Sequence, residues 1–422
     1  MRHFGYSETM AAVAAGTMKL SVSRSEVEAL AEQHGDAFYL LDLERVNAAH
    51  AALLEPFRRR HANTTLAYSV KTNYTPRVLT RMRELGSLAE VVSELEYEIA
   101  TRAGFTPGEI LVNGAVHRPD FLAALLLQGV RVNLDGWYML ETLHAVSRAY
   151  PERTFSVGLR LSYPVPEAAT SRFGFTVDKP GMRRLVEWFR AHDNCEVAGY
   201  HSHFCFAPYG LASYRARIDG LAAVAQSWFP HFRLRYLDLG SGFRDTPLGP
   251  SFDEVAAVVA GVLAERFDPG SRPTLLIEPG TAIIGQAMAF VCRVYDVKTV
   301  EGRTLALVNG SSHNVNTMGW RSEMAVEVLR APGAAAGRSA ATFDVVGNTA
   351  MERKDHLCEG VRGPVAAGDY LVFDAVGSYS TGMKPPFIHP CPAVVAREGG
   401  RYQLVKRRET VDDFLQTYLV ES

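Results

Sequence analysis

The 422-residue sequence has few of the features that mark membrane, nucleic-acid-binding or disulfide-bonded proteins. Its five cysteines are scattered and lack CxxC spacing, so they fit a reducing compartment better than a disulfide framework or a zinc site. The formal net charge is -2 and no basic block is visible, which argues against nucleic acid and anionic membranes as partners. No apolar run reaches membrane-span length, and residues 10–15 are too short for a signal-peptide core. We therefore predict a cytoplasmic protein.

The length of the chain and the order of its predicted elements indicate two domains. A chain of 422 residues is too long for one ordinary core. Eight short apolar runs between Leu66 and Ile277 alternate with helical segments, and eight βα units over about 210 residues predict a (β/α)8 TIM barrel. After Gly285, short β-like runs predict a second, mostly β domain of sandwich or barrel type that the N-terminal segment completes. The predicted bounds are 1–41 for this segment, 42–285 for the barrel and 286–422 for the β domain.

A lysine lies at the end of the first predicted barrel strand. Residues 66–70, LAYSV, carry no charge and lead directly to Lys71, which the polar pair Thr72 and Asn73 follows. Such a run is typical of a buried parallel strand, and barrels place their chemistry at the C-terminal ends of these strands. Two interpretations stay open from these residues alone. Lys71 is either a surface lysine, the commoner case, or a desolvated amine that loses its proton and forms Schiff bases.

Glycines and an acid follow the last two predicted barrel strands. Gly240 and Gly242 lie in LDLGSGF (237–243), where their backbone N–H groups can approach a phosphate closely, although a plain turn explains them equally well. Glu278 follows the last strand, and Pro279 fixes the turn after it. This arrangement favours a side chain aimed at the barrel mouth over a solvated loop charge.

Two histidines, His201 and His203, occupy positions i and i+2 of YHSHF (200–204) and share one face if the strand is regular. A metal-binding pair, a hydrogen-bonded core histidine and a ring that stacks on an aromatic ligand are the alternatives. No acidic residue accompanies the pair in this segment. We therefore predict no metal site.

Several motifs together resemble a known family. AYSVKTN, SRFGF, HSHF, DLGSGF and EPGT occur in the order seen in the fold-type III pyridoxal-phosphate decarboxylases. These are diaminopimelate, ornithine and arginine decarboxylases with an alanine-racemase-like barrel. FDAVGSYS resembles the tyrosine-bearing motif of this family, and the resemblance spans residues from about Ala37 to Val395. It favours the Schiff-base interpretation of Lys71 over the surface lysine.

The resemblance implies a cofactor, pyridoxal 5'-phosphate, and a role for each matching residue. Lys71 would bind the cofactor as a Schiff base, Glu278 would pair with the pyridine nitrogen, and His203 would stack on the ring. The family builds its active site between the barrel of one subunit and the β domain of another, so a homodimer is implied. The other implied cofactor-binding residues are Gly240, Ser241, Gly242, Gly280 and Tyr379 at the phosphate, and Arg160 in the barrel interior.

The sequence departs from the family at two positions near the expected phosphate. Thr281 stands where the decarboxylases usually carry arginine after Glu-Pro-Gly, so a hydroxyl replaces a fixed charge. Cys205 and Phe206 replace a small Gly-Ser pair after the HSHF histidine, and their bulk should reshape that loop. Thr281 keeps a hydroxyl that can donate to phosphate, so we retain it among the cofactor-binding residues.

A third departure concerns the cysteine-acid motif that the partner subunit contributes to protonation at Cα. Cys358 and Glu359 look like this motif, but the residues around VVGNTAME (345–352) match its flanks better. In that alignment, which we favour, Ala350 replaces the cysteine and Glu352 is the nearest acid. An alanine cannot protonate Cα, so another group does so or the reaction ends differently.

Two further residues bear on the substrate. Arg321 lies in NGSSHNVNTMGWR (309–321), which matches the loop where diamine-forming relatives place a substrate-reading carboxylate. An arginine there would repel a distal ammonium and attract a carboxylate or phosphate, although a solvent-facing loop arginine is the alternative. Phe387, in KPPFI (384–388), fits an aromatic lining position.

We therefore predict a homodimeric amino-acid decarboxylase that depends on pyridoxal phosphate and has a small-molecule amino-acid substrate, and Arg321 favours one with an anionic distal group. A racemase or epimerase, or a decarboxylase with an atypical, oxidative outcome, is the alternative, because Ala350 replaces the cysteine. A non-enzymatic protein that binds or has lost the cofactor is disfavoured by the presence of Lys71, Glu278 and Tyr379.

Overall fold

The computed structural model describes residues 20–166, 168, 171–204, 210–243, 249–315, 324–333, 342–352, 354–383 and 386–419. The chain divides into two compact units. Ala49–Ala282 form one, and Met1–Ala48 with Ile283–Ser422 form the other. No helix within the described ranges combines the length and the apolar character that crossing a membrane requires.

The described chain begins with a helix that starts at a capping box. In α1 (Arg24–His34), the Ser23 hydroxyl accepts a bond from the Glu26 amide, and the Glu26 side chain accepts one from the Ser23 amide. This capping box satisfies two amides that the first helical turn leaves unpaired. The strand β1 (Phe38–Asp42) follows with every residue buried, and α2 (Leu43–Arg60) leads into the barrel.

The barrel unit alternates strands and helices, as predicted. Its strands are buried nearly throughout, which is typical of a parallel sheet covered on both faces. The strands are β2 (Thr64–Ser69), β3 (Leu88–Val91), β4 (Ile110–Val112), β5 (Arg131–Leu134), β6 (Phe155–Ser162), β7 (Phe175–Thr176), β8 (Cys195–His201), β9 (Tyr236–Asp238) and β10 (Thr274–Ile277). The helices are α3 (Pro76–Glu84), α4 (Glu94–Arg102), α5 (Pro119–Gln128), α6 (Trp137–Ala149), α7 (Lys179–Arg190), α8 (Leu211–Trp228) and α9 (Phe252–Arg266), with 3-10 turns at Val70–Thr72 and Pro107–Glu109. Helix α10 (Thr281–Ile284) spans the boundary between the units in sequence, and the 3-10 turn Gly285–Ala287 belongs to the other unit.

Eight of these strands close into a parallel barrel within the described residues. The order around the barrel is β2, β3, β4, β5, β6, β8, β9, β10, and β10 pairs with β2 to complete the ring. The short strand β7 pairs only with β6 in this sheet. The predicted TIM barrel is therefore confirmed, and its parallel strands bring their C-terminal ends to one rim.

The other unit is built on a mostly antiparallel sheet. Its path runs β15, β14, β12, β11, β1, β17, β18, while β16 pairs with β11 and β13. The N-terminal strand β1 lies between β11 and β17, so the chain before the barrel completes this sheet, as predicted. The elements are β11 (Met288–Val300), β12 (Arg303–Val308), α11 (Ser312–Val315), β13 (Val326–Leu329), β14 (Thr342–Val346), β15 (His356–Arg362), β16 (Tyr370–Phe373), β17 (Ala393–Glu398), β18 (Arg401–Lys406) and α12 (Val411–Leu415).

Two glycines make room for a buried tyrosine inside the barrel. A Cβ atom at Gly158 would lie 2.1 Å from the Tyr236 hydroxyl oxygen, and one at Gly199 would lie 2.5 Å from the Tyr236 ring. Strands β6 and β8 therefore carry glycine where β9 sends its largest side chain inward. Close packing of this kind leaves no space for an added methyl group.

Replacing Gly199 with alanine should destabilise the barrel because the new methyl group overlaps the Tyr236 ring. We expect the free energy of unfolding to fall by about 1–3 kcal/mol, as is usual for an overpacked core. Urea unfolding followed by circular dichroism measures the change. Gly261→Ala in α9 is the matched control. Nothing lies within 4 Å of its added Cβ, so we expect unchanged or slightly increased stability. Equal unfolding midpoints for Gly199→Ala and the unmodified protein would contradict this packing argument.

Candidate active site

The C-terminal rim of the barrel gathers polar side chains from strands that lie far apart in sequence. Each lies in the C-terminal half of a strand or just after it, and nearly all are buried. Parallel strands present these positions to one rim, so the fold concentrates charge there. The residues are Lys71 after β2, Glu90 in β3, Asn113 after β4, Asp135 after β5, Arg160 in β6, His201 and His203 at the end of β8, Asp238 in β9 and Glu278 after β10.

Lys71 lies in the single 3-10 turn that follows β2. Its Nζ is 2.6 Å from Oε2 of Glu90 and 3.4 Å from Oγ of Ser69, and its side chain is 36% exposed. Burial alone lowers the pKa of Lys71, but the charges of Glu90 and Glu278 outweigh it, and the pKa lies above its ordinary value. The expectation that desolvation neutralises this lysine is therefore wrong for these surroundings, because two carboxylates stabilise the ammonium.

Glu278 is buried to 2% exposure in the barrel interior, so the solvated-charge alternative is wrong. Its Oε1 accepts a hydrogen bond of 2.6 Å from Asn113 Nδ2, and its Oε2 lies 3.5 Å from His201 Nε2. Burial by itself raises the pKa of Glu278, but the nearby His201 and the bond shared with Asp238 lower it well below the usual range. Burial and then the charge of Glu278 raise the pKa of Asp238. The pair therefore holds its proton on Asp238 and leaves Glu278 ionised.

A chain of hydrogen bonds crosses the barrel interior and ends at the carboxylates. The Tyr236 hydroxyl donates to Asn133 Oδ1 at 2.6 Å, and Asn133 Nδ2 donates to Asn113 Oδ1 at 2.9 Å. Asn113 Nδ2 donates to Glu278 Oε1 and, at 3.0 Å, to Glu90 Oε1. Every donor in this series of hydrogen bonds points towards the carboxylates of Glu278 and Glu90, which favours their charged form.

Sequence reasoning missed Glu90, Asn113, Asn133 and Asp238. Each is a polar residue in or beside a short apolar barrel strand, as in LAEV (88–91), and each is at most 2% exposed. A buried polar residue is costly unless it is hydrogen-bonded, so a polar residue in such a strand is a usable signal. Their partners, however, come from other strands and are not visible in the sequence.

The two histidines have different surroundings. Strand β8 ends at His201, so His203 lies beyond the regular strand. Burial, together with the charges of Lys71 and other cations, keeps the pKa of His203 well below the usual range, although Glu278 opposes this. Its Nδ1 accepts a bond of 3.0 Å from the Ser241 amide, which requires an unprotonated nitrogen there. His203 is therefore a neutral ring.

His201 has acidic neighbours that its local sequence lacks. One ligand atom each from His201, Asp238 and Glu278 lie within 4.8 Å of one another, and all three residues are buried. Within the described chain, neither ring nitrogen of His201 meets the geometry of a regular hydrogen bond, and its Nε2 lies 3.5 Å from Glu278 Oε2. The fold thus brings Asp238 and Glu278 from two other strands beside His201. The segment 200–204 has no acidic residue of its own, but in the folded protein His201 does have acidic neighbours.

The predicted phosphate loop follows β9. Gly240 has a φ of 66° and Gly242 a φ of 120°, a region that favours glycine. The Gly240 amide donates to Asp238 Oδ1 and the Ser241 amide to His203 Nδ1, both at 3.0 Å. Both amides therefore face the barrel interior and are hydrogen-bonded within the protein.

Gly280 links the end of β10 to the turn that carries Lys71. A Cβ atom at Gly280 would lie 2.0 Å from Thr72 Oγ1, so only glycine allows this approach. The Ser69 amide also donates to the Pro279 carbonyl at 3.1 Å. These contacts hold the chain beside Glu278 against the Lys71 turn. Thr281, the next residue, is exposed.

Arg160 lies in β6 and is 7% exposed. Its Nη1 is 3.2 Å from Asp135 Oδ2, and its guanidinium lies 4.5 Å from the centre of the Phe173 ring. Asp135 Oδ1 also accepts a bond of 3.0 Å from the Gly174 amide. Asp135 therefore joins Arg160 to the SRFGF motif (171–175).

The remaining predicted residues belong to the other unit or are not described. Tyr379 has a φ of 65°, a backbone conformation that is uncommon for a tyrosine. Glu352 and Ala350 are exposed, and Phe387 is 41% exposed with its ring centre 5.7 Å from that of His313. Arg321, Cys205 and Phe206 lie outside the described residues.

Three loops of this unit are bonded to one another. The Asn348 amide donates to the Gly310 carbonyl at 3.0 Å, and His389 Nε2 lies 3.1 Å from the Asn348 carbonyl oxygen. The structure thus brings the loops of His313, Glu352 and Phe387 together, although they lie far apart in sequence.

The barrel residues fit pyridoxal phosphate by their chemistry. The rim holds an accessible lysine amine for the aldehyde, an ionised buried carboxylate for a protonated ring nitrogen, and a neutral aromatic ring beside them. Glycine at 240 and 280 lets the backbone pass close to the Ser202 carbonyl oxygen and to Thr72 Oγ1, beside these groups. These are the groups that a pyridine aldehyde phosphate requires.

Comparison with known proteins agrees with this chemistry. Residues 43–285 match the family model described as pyridoxal-dependent decarboxylase, pyridoxal binding domain. The chain is 26% identical to diaminopimelate decarboxylase of Methanothermobacter thermautotrophicus, over 94% of this chain and 95% of that protein. It is 28% identical to that of Actinosynnema pretiosum, over 92% of this chain and 90% of the relative.

A solved structure shares the fold. The crystal structure of diaminopimelate decarboxylase from M. jannaschii in co-complex with L-lysine superposes with a TM-score of 0.82 at 18% identity, and the match covers 94% of each chain. The family match covers more than half of the chain and includes the whole barrel. On this evidence, the chain belongs to the pyridoxal-dependent decarboxylases.

Proposed function

We propose that this enzyme removes the α-carboxylate of an amino acid whose distal end carries a second carboxylate, with diaminopimelate as the first candidate. The observation that carries the proposal is the segment 309–321, which contains Arg321 and no Asp or Glu. An arginine there attracts a distal carboxylate and repels a lone ammonium. The names of the curated relatives support the proposal, because diaminopimelate carries a carboxylate at each end.

A buried acid beside this segment does not weaken the proposal. Asp355 Oδ1 accepts a bond of 2.8 Å from the Ser312 amide, and its Oδ2 accepts bonds of 2.8 and 2.6 Å from the amide and hydroxyl of Thr349. A carboxylate occupied by three donors has little capacity left for a substrate ammonium. Asp355 therefore shapes the loops and does not select a diamine.

In the barrel, we assign cofactor attachment to Lys71, pairing with the ring nitrogen to Glu278 and contact with the ring face to His203. When bound, the cofactor supplies a sink for the electrons left at Cα as the carboxylate departs. Glu278 suits its role because it is buried and ionised. His203 suits its role because it is neutral, so it adds no positive charge beside a cationic ring.

We assign the phosphate end of the site to the loops after β9 and β10 together with one tyrosine. Backbone amides in loops with left-handed glycines are common anion-binding groups. Arg160, held by Asp135, adds a fixed positive charge in the barrel interior. The residues assigned to the phosphate are Gly240, Ser241, Gly242, Gly280, Thr281 and Tyr379.

Glu90 controls the proton on Lys71 in this proposal. Its Oε2 is 2.6 Å from Lys71 Nζ and also accepts a bond of 2.7 Å from Ser69 Oγ. Because the pKa of Lys71 is raised, the amine must lose a proton before it attacks an aldehyde. Glu90 is placed to accept that proton.

We further propose that the enzyme is a cytoplasmic homodimer whose active sites lie at the subunit interface, as the family resemblance implies. The scattered cysteines support the compartment. The joined loops of His313, Glu352 and Phe387 support the interface, because they form a preassembled polar and aromatic surface. Glu352 and Phe387 are our candidates for contacts with the substrate.

Ala350 favours a second candidate, an enzyme that labilises a bond at Cα without simple decarboxylation. Its exposed methyl group stands where we align the family's cysteine and has no proton to donate. A racemase or epimerase, or an oxidative decarboxylase, would need a different group or none at that step. Product analysis distinguishes these outcomes.

The substrate proposal predicts faster CO2 release from diaminopimelate and acidic amino acids than from lysine or ornithine. Arg321→Leu should lower kcat/KM for the anionic substrates about tenfold to a hundredfold, because one charged bond is lost. CO2, ammonia and deuterium exchange at Cα are measured over a panel of D- and L-amino acids. Arg362→Leu, an exposed arginine of β15, is the matched control. Better turnover of lysine or ornithine would refute the anionic preference, and exchange without CO2 would favour the racemase.

Lys71→Ala should abolish the visible absorption band that the purified protein shows with bound cofactor. The band requires a covalent link to the lysine amine, and alanine cannot form one. Absorption spectra after cofactor addition and dialysis measure the effect. Lys354→Ala, at an exposed lysine, should keep the band. A band that survives in the Lys71 variant would rule out Lys71 as the anchor.

Glu90→Gln should lower the pKa of Lys71, because the variant removes the carboxylate that outweighs burial. In cofactor-free protein, the pH midpoint for aldehyde trapping at Lys71, measured by borohydride reduction and mass spectrometry, should fall by about one unit or more. Trapping is then already substantial at lower pH than in the unmodified protein. Glu96→Gln removes a weaker charge acting on Lys71 and should shift the midpoint less. Equal shifts would show that Glu90 has no special role.

A further inference from the structure

Helix α8 contacts the glycine loop from outside the barrel through two side chains. Arg217 donates from Nη2 to the carbonyl oxygens of Leu239 and Ser241, the latter at 2.8 Å. The Tyr214 hydroxyl donates to the carbonyl oxygen of Gly242 at 3.0 Å. Three of the four carbonyls between residues 239 and 242 therefore bond to this helix.

The amides of the same loop point in the opposite direction. The Gly240 amide donates to Asp238 and the Ser241 amide to His203. Asp238 lies in the barrel interior, because its Oδ2 is 3.4 Å from Nδ2 of Asn133 on a strand that is not its neighbour. The peptide groups of the loop thus present carbonyls to α8 and N–H groups to the interior.

This orientation is defined by the contacts around the loop. The remaining carbonyl, that of Gly240, accepts the Glu278 amide at 2.9 Å. A Cβ atom at Gly240 would lie 2.6 Å from the Ser202 carbonyl oxygen, so the backbone passes close to the end of β8. With these bonds to α8, the carbonyl oxygens of residues 239, 241 and 242 are turned away from the barrel interior.

The charge of Arg217 also reaches the site. The side chain is 1% exposed and is among the largest fully buried side chains of the described chain. Burial lowers the pKa of His203 most, and the charges of Lys71, Arg160 and Arg217 lower it further, while Glu278 opposes them. A buried cation acts over a longer distance than an exposed one, because water screens it less.

We infer that Arg217, assisted by Tyr214, is a positioning residue for the phosphate of the cofactor: it holds the loop carbonyls on the helix side, so that these oxygens turn away from the anion and a buried positive charge lies behind the loop. This inference rests on the proposed assignment of Gly240, Ser241 and Gly242 to the phosphate. Neither residue needs to touch the cofactor. A purely structural role would affect ligands with and without a phosphate alike.

The experiment compares pyridoxal phosphate with pyridoxal, which lacks the phosphate but keeps the aldehyde and the ring. Cofactor-free protein is titrated with each ligand and followed by visible absorption. Arg217→Met should weaken binding of pyridoxal phosphate about tenfold to a hundredfold, because hydrogen bonds from a charged donor are lost. Binding of pyridoxal should change by less than about threefold, since the ring and Lys71 are unaltered.

Tyr214→Phe is the second variant and tests the inference even if Arg217→Met fails to fold. It removes one neutral hydrogen bond and no charge, so the loss for pyridoxal phosphate should be about twofold to tenfold, again with little change for pyridoxal. Arg217→Lys keeps the charge but not the planar fork and should fall between Arg217→Met and the unmodified protein.

The outcomes separate this inference from the assignment on which it rests. If the unmodified protein binds both ligands equally well, the glycine loop does not bind the phosphate and the assignment fails. If the unmodified protein prefers pyridoxal phosphate and the variants keep the full preference, or lose both ligands to the same extent, only the positioning role is refuted.

Discussion

A negative charge buried inside the barrel, that of Glu278, is the constraint on which the site depends. An isolated carboxylate at 2% exposure is costly, and this one is ionised because donors and positive charge surround it. Asn113 donates to it directly, and Asn133 and Tyr236 orient Asn113 in turn. Gly158 and Gly199 leave the space for the Tyr236 side chain in this series of hydrogen bonds. The packing of the barrel and the charge of Glu278 therefore depend on some of the same residues.

The same carboxylates decide the state of the lysine. Lys71 is partly buried, and burial alone favours a neutral amine. Glu90 at 2.6 Å and the charge of Glu278 reverse that preference. Lys71 is thus an ammonium beside the carboxylate of Glu90, which can accept its proton. The ammonium is held in place electrostatically beside that carboxylate.

Backbone amides and two arginines supply the positive groups of the barrel besides Lys71. In the loop after β9, the amides of Gly240 and Ser241 point to the barrel interior. Side chains of α8 donate hydrogen bonds to most of the carbonyl oxygens of this loop. Arg160 is held by Asp135, and Arg217 is enclosed by the protein. The carboxylates of Glu90 and Glu278 thus act on the lysine, while the guanidinium of Arg217 bonds to carbonyls of the glycine loop.

The amino-acid sequence by itself determined the barrel, the mostly β second domain and the positions of Lys71 and Glu278 at strand ends. These follow from local patterns, because strand and helix periodicity and the residues after each strand are read over a few neighbours. Only the tertiary structure decided the partners of those residues. Glu90, Asn113 and Asp238 come from other strands and meet the lysine and the acid across the interior. The direction of the lysine pKa shift was decided there too, since it depends on charges that only folding brings within a few ångströms of one another.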